Sequence, residues 1–270
     1  MNSTKKTVKK SNSLARATYT LSTIEQRLLF LAIANSKGCA ENLKRVSIYA
    51  TEYAMQYETT PEAAYMALKE ASDTLFERRF TYTDVTELGN PIEKRRRWVQ
   101  GVDYIKNEGR IAIIFSDDVL PALIEQAQRF TYFQLDSIKG LTSMYALRLY
   151  ELLISWRGTQ KTNLIKLEVL RQQLGVLDDK YKRLAHFKER VLHTAITQIN
   201  THTDITVQYE QHKRGRSITG FSFTFKQKKP RPEPKGRRTI TKAQAQKEAR
   251  RGEGWKELYK RLSADFIIED

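Results

Sequence analysis

A chain of 270 residues with a formal charge of +16 has room for two ordinary domains and a basic remainder, and its 40% hydrophobic content excludes disorder throughout. The single cysteine, Cys39, excludes an internal disulfide and a cysteine-based zinc site, and suits a reducing cytoplasm. No run approaches the roughly 20 apolar residues of a membrane span, and the four lysines of residues 1–13 precede no apolar stretch of signal-peptide type, so the expected location is cytoplasmic with no membrane contact.

Residues 1–13 read as a basic N-terminal tail. Ser22-Thr-Ile-Glu25 is a capping box, in which hydroxyl and carboxylate satisfy the free amides of a helix start. The helix it opens runs to about Ser36, with Ile24, Leu28, Leu31 and Ala32 at helical spacing. Its dense Leu28-Leu29-Phe30-Leu31 run reads as core, with a dimerisation surface as the alternative. A short alternating segment, Arg45–Tyr49, precedes a helix through Tyr53 and Tyr57. Thr60-Pro61 starts another helix, proline fitting the first turn, with Ala64, Leu68, Ala71 and Leu75 on one face. Phe80–Asp84 and Arg95–Val102 then predict two strands around Gly89-Asn90-Pro91, and Arg110–Phe115 a third.

The order then recurs. A helix is predicted over about Thr142–Trp156, a strand at Leu164–Leu167, a short helix at Glu168–Leu174 ended by Gly175, and a long helix from Tyr181 to Asn200. Strands Ile205–Tyr209 and Ser217–Phe225 flank a turn at Gly215. Arg27 and Arg148, Val46 and Ile165, and Tyr82 and Val207 are separated by 121, 119 and 125 residues, as an internal duplication would leave them. Helix, strand, helix, helix and hairpin is the order of a winged helix, whose last helix can enter the major groove while the hairpin lies on the backbone. The expected fold class is therefore α+β: two winged-helix domains related by internal duplication, over 14–130 and 131–226, with a basic C-terminal tail over 227–270.

The position of the charge matters more than its size. Residues 226–254 hold 11 basic and three acidic side chains, residues 14–130 hold 15 and 16, and residues 131–225 hold 14 and eight. The helix at residues 60–77 carries Lys69 against Glu62, Glu70, Asp73 and Glu77, which phosphates would repel. On the helix at 181–200, Leu184, Phe187, Val191, Ala195 and Ile199 form one face. Lys182, His186, Arg190, His193 and Thr197 fall opposite, next to Arg183, while Lys188 beside them is expected on phosphate. Such a row can donate to base edges, an arginine pairing bidentately with guanine. The bland alternative is a solvated helix face. It is weakened by the adjoining basic turn His212-Lys213-Arg214-Gly215-Arg216, where a wing tip should fall and where Lys213, Arg214 and Arg216 suit phosphate contacts. In the first domain Lys94-Arg95-Arg96-Arg97 is expected at the hairpin, as a second phosphate grip or a solvated loop beside a packed Trp98.

Catalytic patterns are missing. No G-x-x-x-x-G-K-[ST] loop occurs, and His186, His193, His202 and His212 never form the His-apolar-His pair a rolling-circle nickase needs. The pairs Asp117-Asp118 and Asp178-Asp179 lack partners at identifiable spacing. No catalytic residue, metal or cofactor is expected, and the chain reads as a binding protein rather than an enzyme. In the tail, Pro230, Pro232 and Pro234 mark an extended basic linker. Thr241-x-x-Gln244 predicts a capped helix, and Trp255, Leu258, Tyr259 and Leu262 a second amphipathic one.

Together these residues resemble the initiator replication proteins of iteron-containing bacterial plasmids, over nearly the whole chain. The resemblance lies in Leu14-Ala-Arg-Ala, Leu21-Ser-x-x-Glu25-Gln-Arg, Met144-Tyr-Ala-Leu-Arg-Leu-Tyr-Glu-Leu-Leu153 and Phe187-Lys-x-Arg-Val-Leu192. It continues through Ile199-Asn200, Gly215-Arg216, Phe221-x-Phe223 and a tail with Ile240-Thr-Lys-Ala-Gln-Ala-Gln-Lys-x-Ala-Arg250 and Trp255-Lys-Glu-Leu-Tyr-Lys-Arg-Leu262. It implies a plasmid-encoded protein whose second domain reads directly repeated iterons in double-stranded DNA. The first domain would contact backbone or mediate dimerisation. Such proteins open the origin as monomers and recruit the host initiator, the replicative helicase and chaperones. They also repress their own gene as dimers on an inverted repeat, which contributes to copy control. A winged-helix repressor without origin function is the alternative reading, and a nuclease with unrecognised metal ligands the third.

Overall fold

The structure, a computed structural model, describes residues 6–36, 40–123, 130–228, 238–248, 254–262 and 266–269. Its contacts divide the chain into a unit of residues 1–227, which holds both winged helices, and a unit of residues 228–270. The first starts with β1 (Thr7–Ser11), α1 (Asn12–Ala15) and β2 (Thr18–Tyr19). Residues 7–11 are thus not tail: β1 pairs antiparallel with β8 (Phe130–Gln134), Lys10 lying opposite Thr131, and Val8 and Lys10 are buried.

Helix α2 (Thr23–Asn35) starts as its capping box requires. The Ser22 hydroxyl accepts from the Glu25 amide at 3.2 Å, and the Glu25 carboxylate accepts from the Ser22 amide at 2.7 Å. All of Leu28, Leu29, Phe30 and Leu31 are buried, so this run is core and leaves nothing for a partner. After α3 (Ala40–Lys44) and β3 (Val46–Tyr49) come α4 (Ala50–Tyr57) and α5 (Pro61–Thr74). Thr60 caps α5, and Ala64, Leu68, Ala71 and Leu75 are all buried.

Next come β4 (Arg79–Val85), β5 (Pro91–Arg97), β6 (Val99–Ile105) and β7 (Arg110–Phe115), with α6 (Leu120–Leu123) before β8. The segment 95–102, expected as one strand, is two. They belong to different three-stranded sheets, ordered β2-β4-β5 and β3-β7-β6. The chain changes sheet at Trp98, which is fully buried, edge-on to Tyr19 at 5.0 Å and tilted against Phe80 at 4.9 Å. An indole that size, held from both sides, belongs to the core and not to either ladder.

The second winged helix uses α7 (Met144–Ile154), β9 (Ile165–Lys166), α8 (Leu167–Gln173), a long helix, β10 (Ile205–Arg214) and β11 (Ser217–Gln227). Its sheet order is β9-β11-β10, matching β3-β7-β6 position for position. The hairpin equivalent to the second wing is therefore β6–β7, and β4–β5 is an additional hairpin. This corrects the pairing of Tyr82 with Val207: Tyr82 lies on β4, outside the duplicated order. It also moves Lys94–Arg97 away from the first domain's wing position.

The long helix starts later than its apolar pattern suggests. Tyr181 has φ +48°, a left-handed conformation no helix can include, so the helix begins at Leu184. It runs through α9 (Leu184–Phe187), a wide π turn (Lys188–His193) and α10 (Thr194–His202). The π turn lets both Val191 and Leu192 reach the core, together with Phe187, Ala195 and Ile199. Leu184 is half-buried.

In the tail unit, β12 (Arg238–Thr241) runs parallel to β13 (Phe266–Glu269), with helices Lys242–Lys247 and Trp255–Leu262 between them. Thr241 and Gln244 form a capping box. The expected proline linker at Pro230–Pro234 lies outside the described residues. Among the described residues no helix is long and apolar enough to cross a membrane.

Candidate nucleic-acid interface

The helix formed by α9, the π turn and α10 presents one wet face. Lys182, Arg183, His186, Arg190, His193 and Thr197 are all exposed, while the opposite face is in the core. Lys182 and Arg183 precede the helix, Arg183 being its cap residue with extended backbone, so the helical spacing that predicts Lys182 on this face does not reach them. Among the described residues, Lys182, Arg183 and Arg190 pair with no acid; the nearest in sequence, Asp179 and Glu189, are both exposed.

Beside this face, β10 and β11 form a long hairpin closed by Gly215-Arg216. Gly215 has φ +61°, as the first central residue of a type II′ turn requires. The ladder slips between His212 and Lys213, which increases local twist just before the tip. Lys213, Arg214 and Arg216 are exposed and pair with no acid among the described residues, and no acid occurs in Gln211–Phe223. Their charge is available to an external anion.

Side chains brace helix to hairpin. His193 Nε2 lies 3.0 Å from the Tyr209 hydroxyl, and Lys188 Nζ donates to Gln211 Oε1 at 3.2 Å. Asn200 closes two bonds with the Val207 backbone, donating to its carbonyl at 3.1 Å and accepting from its amide at 2.7 Å. Lys188 is half-buried against the hairpin, unlike the rest of the row. Burial raises the Tyr209 phenol above its ordinary pKa, keeping it neutral beside His193. No motif pointed to a role for Tyr209 and Gln211, while Asn200 stood out only within the family motif Ile199-Asn200. The strand alternation that turns Tyr209 toward Phe221 and Phe223 was the available signal.

The basic run of the first domain is arranged differently. It lies on the edge strand β5, and each member meets a carboxylate. Lys94 meets Asp84 at 2.5 Å, Arg95 meets Glu93 at 2.7 Å, Arg96 meets Asp118 at 2.9 Å, and Arg97 meets Glu77 at 3.0 Å. The hydrogen bond between Lys94 and Asp84 lowers the Asp84 carboxyl and raises the Lys94 ammonium, so the two hold one another charged. Glu62, Glu70 and Asp73 on α5, and Glu77 in the turn Leu75–Glu77 that follows it, are exposed, with Lys69 the one base among them. Among the described residues no group of three or more His, Cys, Asp or Glu could hold a metal ion.

Two winged helices, one with a cationic helix and hairpin and one with an acidic helix, define the class of protein. The profile described as "Initiator Replication protein, WH1" matches residues 7–154, and "Initiator Rep protein, WH2" matches residues 166–225. The chain belongs to the initiator replication protein family. It is 27% identical over 215 residues to the Escherichia coli "Replication initiation protein", covering 77% of this chain and 65% of that one. It is also 27% identical over 225 residues to the Escherichia coli "PI protein", covering 72% of this chain and 74% of the other. The match thus spans just under two thirds of the first relative's length. A crystal structure of the Pi initiator protein in complex with iteron DNA shares the fold at TM-score 0.65 and 24% identity, over 83% of this chain and 98% of that one.

Proposed function

We propose that this protein initiates plasmid replication by binding repeated iterons in double-stranded DNA, the second winged helix reading bases and the first contacting backbone beside it. Family membership supports the activity, since a relative named Pi initiator protein is known in complex with iteron DNA. The observation that carries the division of labour is the exposed row Lys182, Arg183, His186, Arg190, His193 and Thr197 beside the acid-free tip with Lys213, Arg214 and Arg216. Base edges would be read by the row and phosphates held by the tip, because cations without internal partners release DNA counterions on binding. Lys188 supports the reading by bracing the helix against the hairpin. The protein acts by binding and assembly in the bacterial cytoplasm, recruiting host replication proteins at the origin and repressing its own gene as a dimer.

Footprinting on the DNA upstream of the gene tests this. Protection of direct repeats of about 20 bp, two helical turns, in an AT-rich region supports initiation. Protection of a lone inverted repeat with no direct repeats points instead to a repressor, and metal-dependent cleavage of that DNA would overturn the non-enzymatic reading.

A further inference from the structure

The junction between the two winged helices is built around buried charge. Lys10, Arg148 and Glu151 are 1%, 1% and 0% exposed. Lys10 arrives on β1; its Nζ lies 2.8 Å from Glu151 Oε1, off the axis of an aligned hydrogen bond. The same ammonium sits over three aromatic rings, Phe30 at 4.6 Å, Trp98 at 5.0 Å and Tyr19 at 5.7 Å. Glu151 Oε2 accepts from the Tyr19 hydroxyl at 2.6 Å and from Arg148. Arg148 also donates to the Ala17 carbonyl at 2.8 Å and to the Gln173 carbonyl at 3.0 Å, tying the N-terminal segment to the end of α8. Close by, Gly175 has φ +72°, and a Cβ there would lie 2.6 Å from the Tyr19 carbonyl oxygen, so the two segments meet without room for a side chain.

Two cations thus share one carboxylate out of water, the surplus charge resting on aromatic faces. Such a set contributes little net stability over an apolar junction of equal volume, but it accepts few alternative geometries. Its members come from both sides: Lys10, Tyr19, Phe30 and Trp98 belong to the first winged helix and its leading strand, and Arg148 and Glu151 to α7, the opening helix of the second. Helix α10, which carries part of the reading face, packs directly on α7.

We infer that Lys10, held by Glu151 and the aromatic cage, is a positioning residue that fixes the angle between the two winged helices and so the spacing at which both engage one duplex. This rests on the two-domain DNA reading proposed above. Rigidly linked modules gain roughly 100-fold or more when both fit, and lose it when the geometry forbids simultaneous contact. Two inserted base pairs separate the half-sites by about 7 Å and rotate them by about 70°.

The test uses the full chain, the duplex it protects in a footprint, and the same duplex with one, two or three base pairs inserted between the segments contacted by the two domains. Wild type should lose roughly 100-fold on insertion. Lys10→Met, which leaves Glu151 paired with Arg148 and Tyr19, should bind the original site more weakly and cut the insertion penalty to about tenfold. Tyr19→Phe, removing one hydroxyl, should shift the penalty the same way by less, and serves if Lys10→Met does not fold. A folded variant that keeps the wild-type penalty, or loses affinity equally at every spacing, overturns the positioning role alone. A wild type indifferent to insertion overturns both that role and the two-domain reading.

Discussion

The hairpins β4–β5 and β10–β11 carry similar basic runs, Lys94–Arg97 on one and Lys213, Arg214 and Arg216 on the other, yet their charges have different fates. On β5 every base faces a carboxylate, two of them within the hairpin itself (Asp84 and Glu93) and two from Asp118 and Glu77. On the second hairpin no base has an acid partner among the described residues. A cation already neutralised within the protein releases little on meeting phosphate, because its internal pair must be broken first. A run of arginines is therefore a weak sign of a DNA contact until the acids around it are counted. The acidic face of α5 and the cationic face of the α9–α10 helix repeat the contrast between the same two domains.

The largest effect is expected at the reading helix. Arg190→Ala should cost about 1–3 kcal/mol on the preferred site and relax sequence preference there, if the side chain pairs bidentately with a base; electrophoretic titration against single-base variants of the site reads both, and an unchanged preference removes Arg190 from base readout. Arg214→Ala should weaken specific and non-specific duplexes alike and lower the salt slope by about one contact; identical slopes would place that arginine off the DNA. Freeing the first hairpin sharpens the comparison: Asp84→Asn with Glu93→Gln leaves Lys94 and Arg95 without partners, and should steepen the slope by up to about two contacts if β4–β5 lies near the duplex. No change would mean that the hairpin faces away from DNA as well as being neutralised. Arg95→Ala should be nearly silent, changing affinity by less than about twofold, since it removes one exposed ion pair.

Much of this contrast was legible in the residues. Both capping boxes, the proline start of α5 and the apolar stripe of the reading helix are local patterns, set by neighbours three or four positions away. The acid-free sequence around Gly215 and the acids at Glu77, Asp84, Glu93 and Asp118 were equally visible. Their meaning was not, because Glu77 and Asp118 reach β5 only through tertiary folding. The same limit hid the sheet change at Trp98, which splits an apparently continuous strand, and so concealed that β4–β5 lies outside the duplicated order. Tyr181 in a left-handed conformation and the π turn at Lys188–His193 are concessions of local geometry to packing, which no fixed period of 100° per residue can announce. Lys10 is the sharpest case. One of four lysines in an apparently solvated tail is buried because three aromatic rings and a carboxylate far along the chain make a place for it.

That reading stands or falls on salt dependence, measured for the full chain on its footprinted duplex with two matched triple variants. Lys213→Gln with Arg214→Gln and Arg216→Gln should reduce the slope of log affinity against log salt by about 2.7, three contacts at 0.9 each. Lys94→Gln with Arg95→Gln and Arg97→Gln should lower it by less than about one contact, because each of these bases already meets a carboxylate. The opposite pattern, with the slope lost from the first hairpin and kept without the second, would contradict the assignment of phosphate binding to the second winged helix.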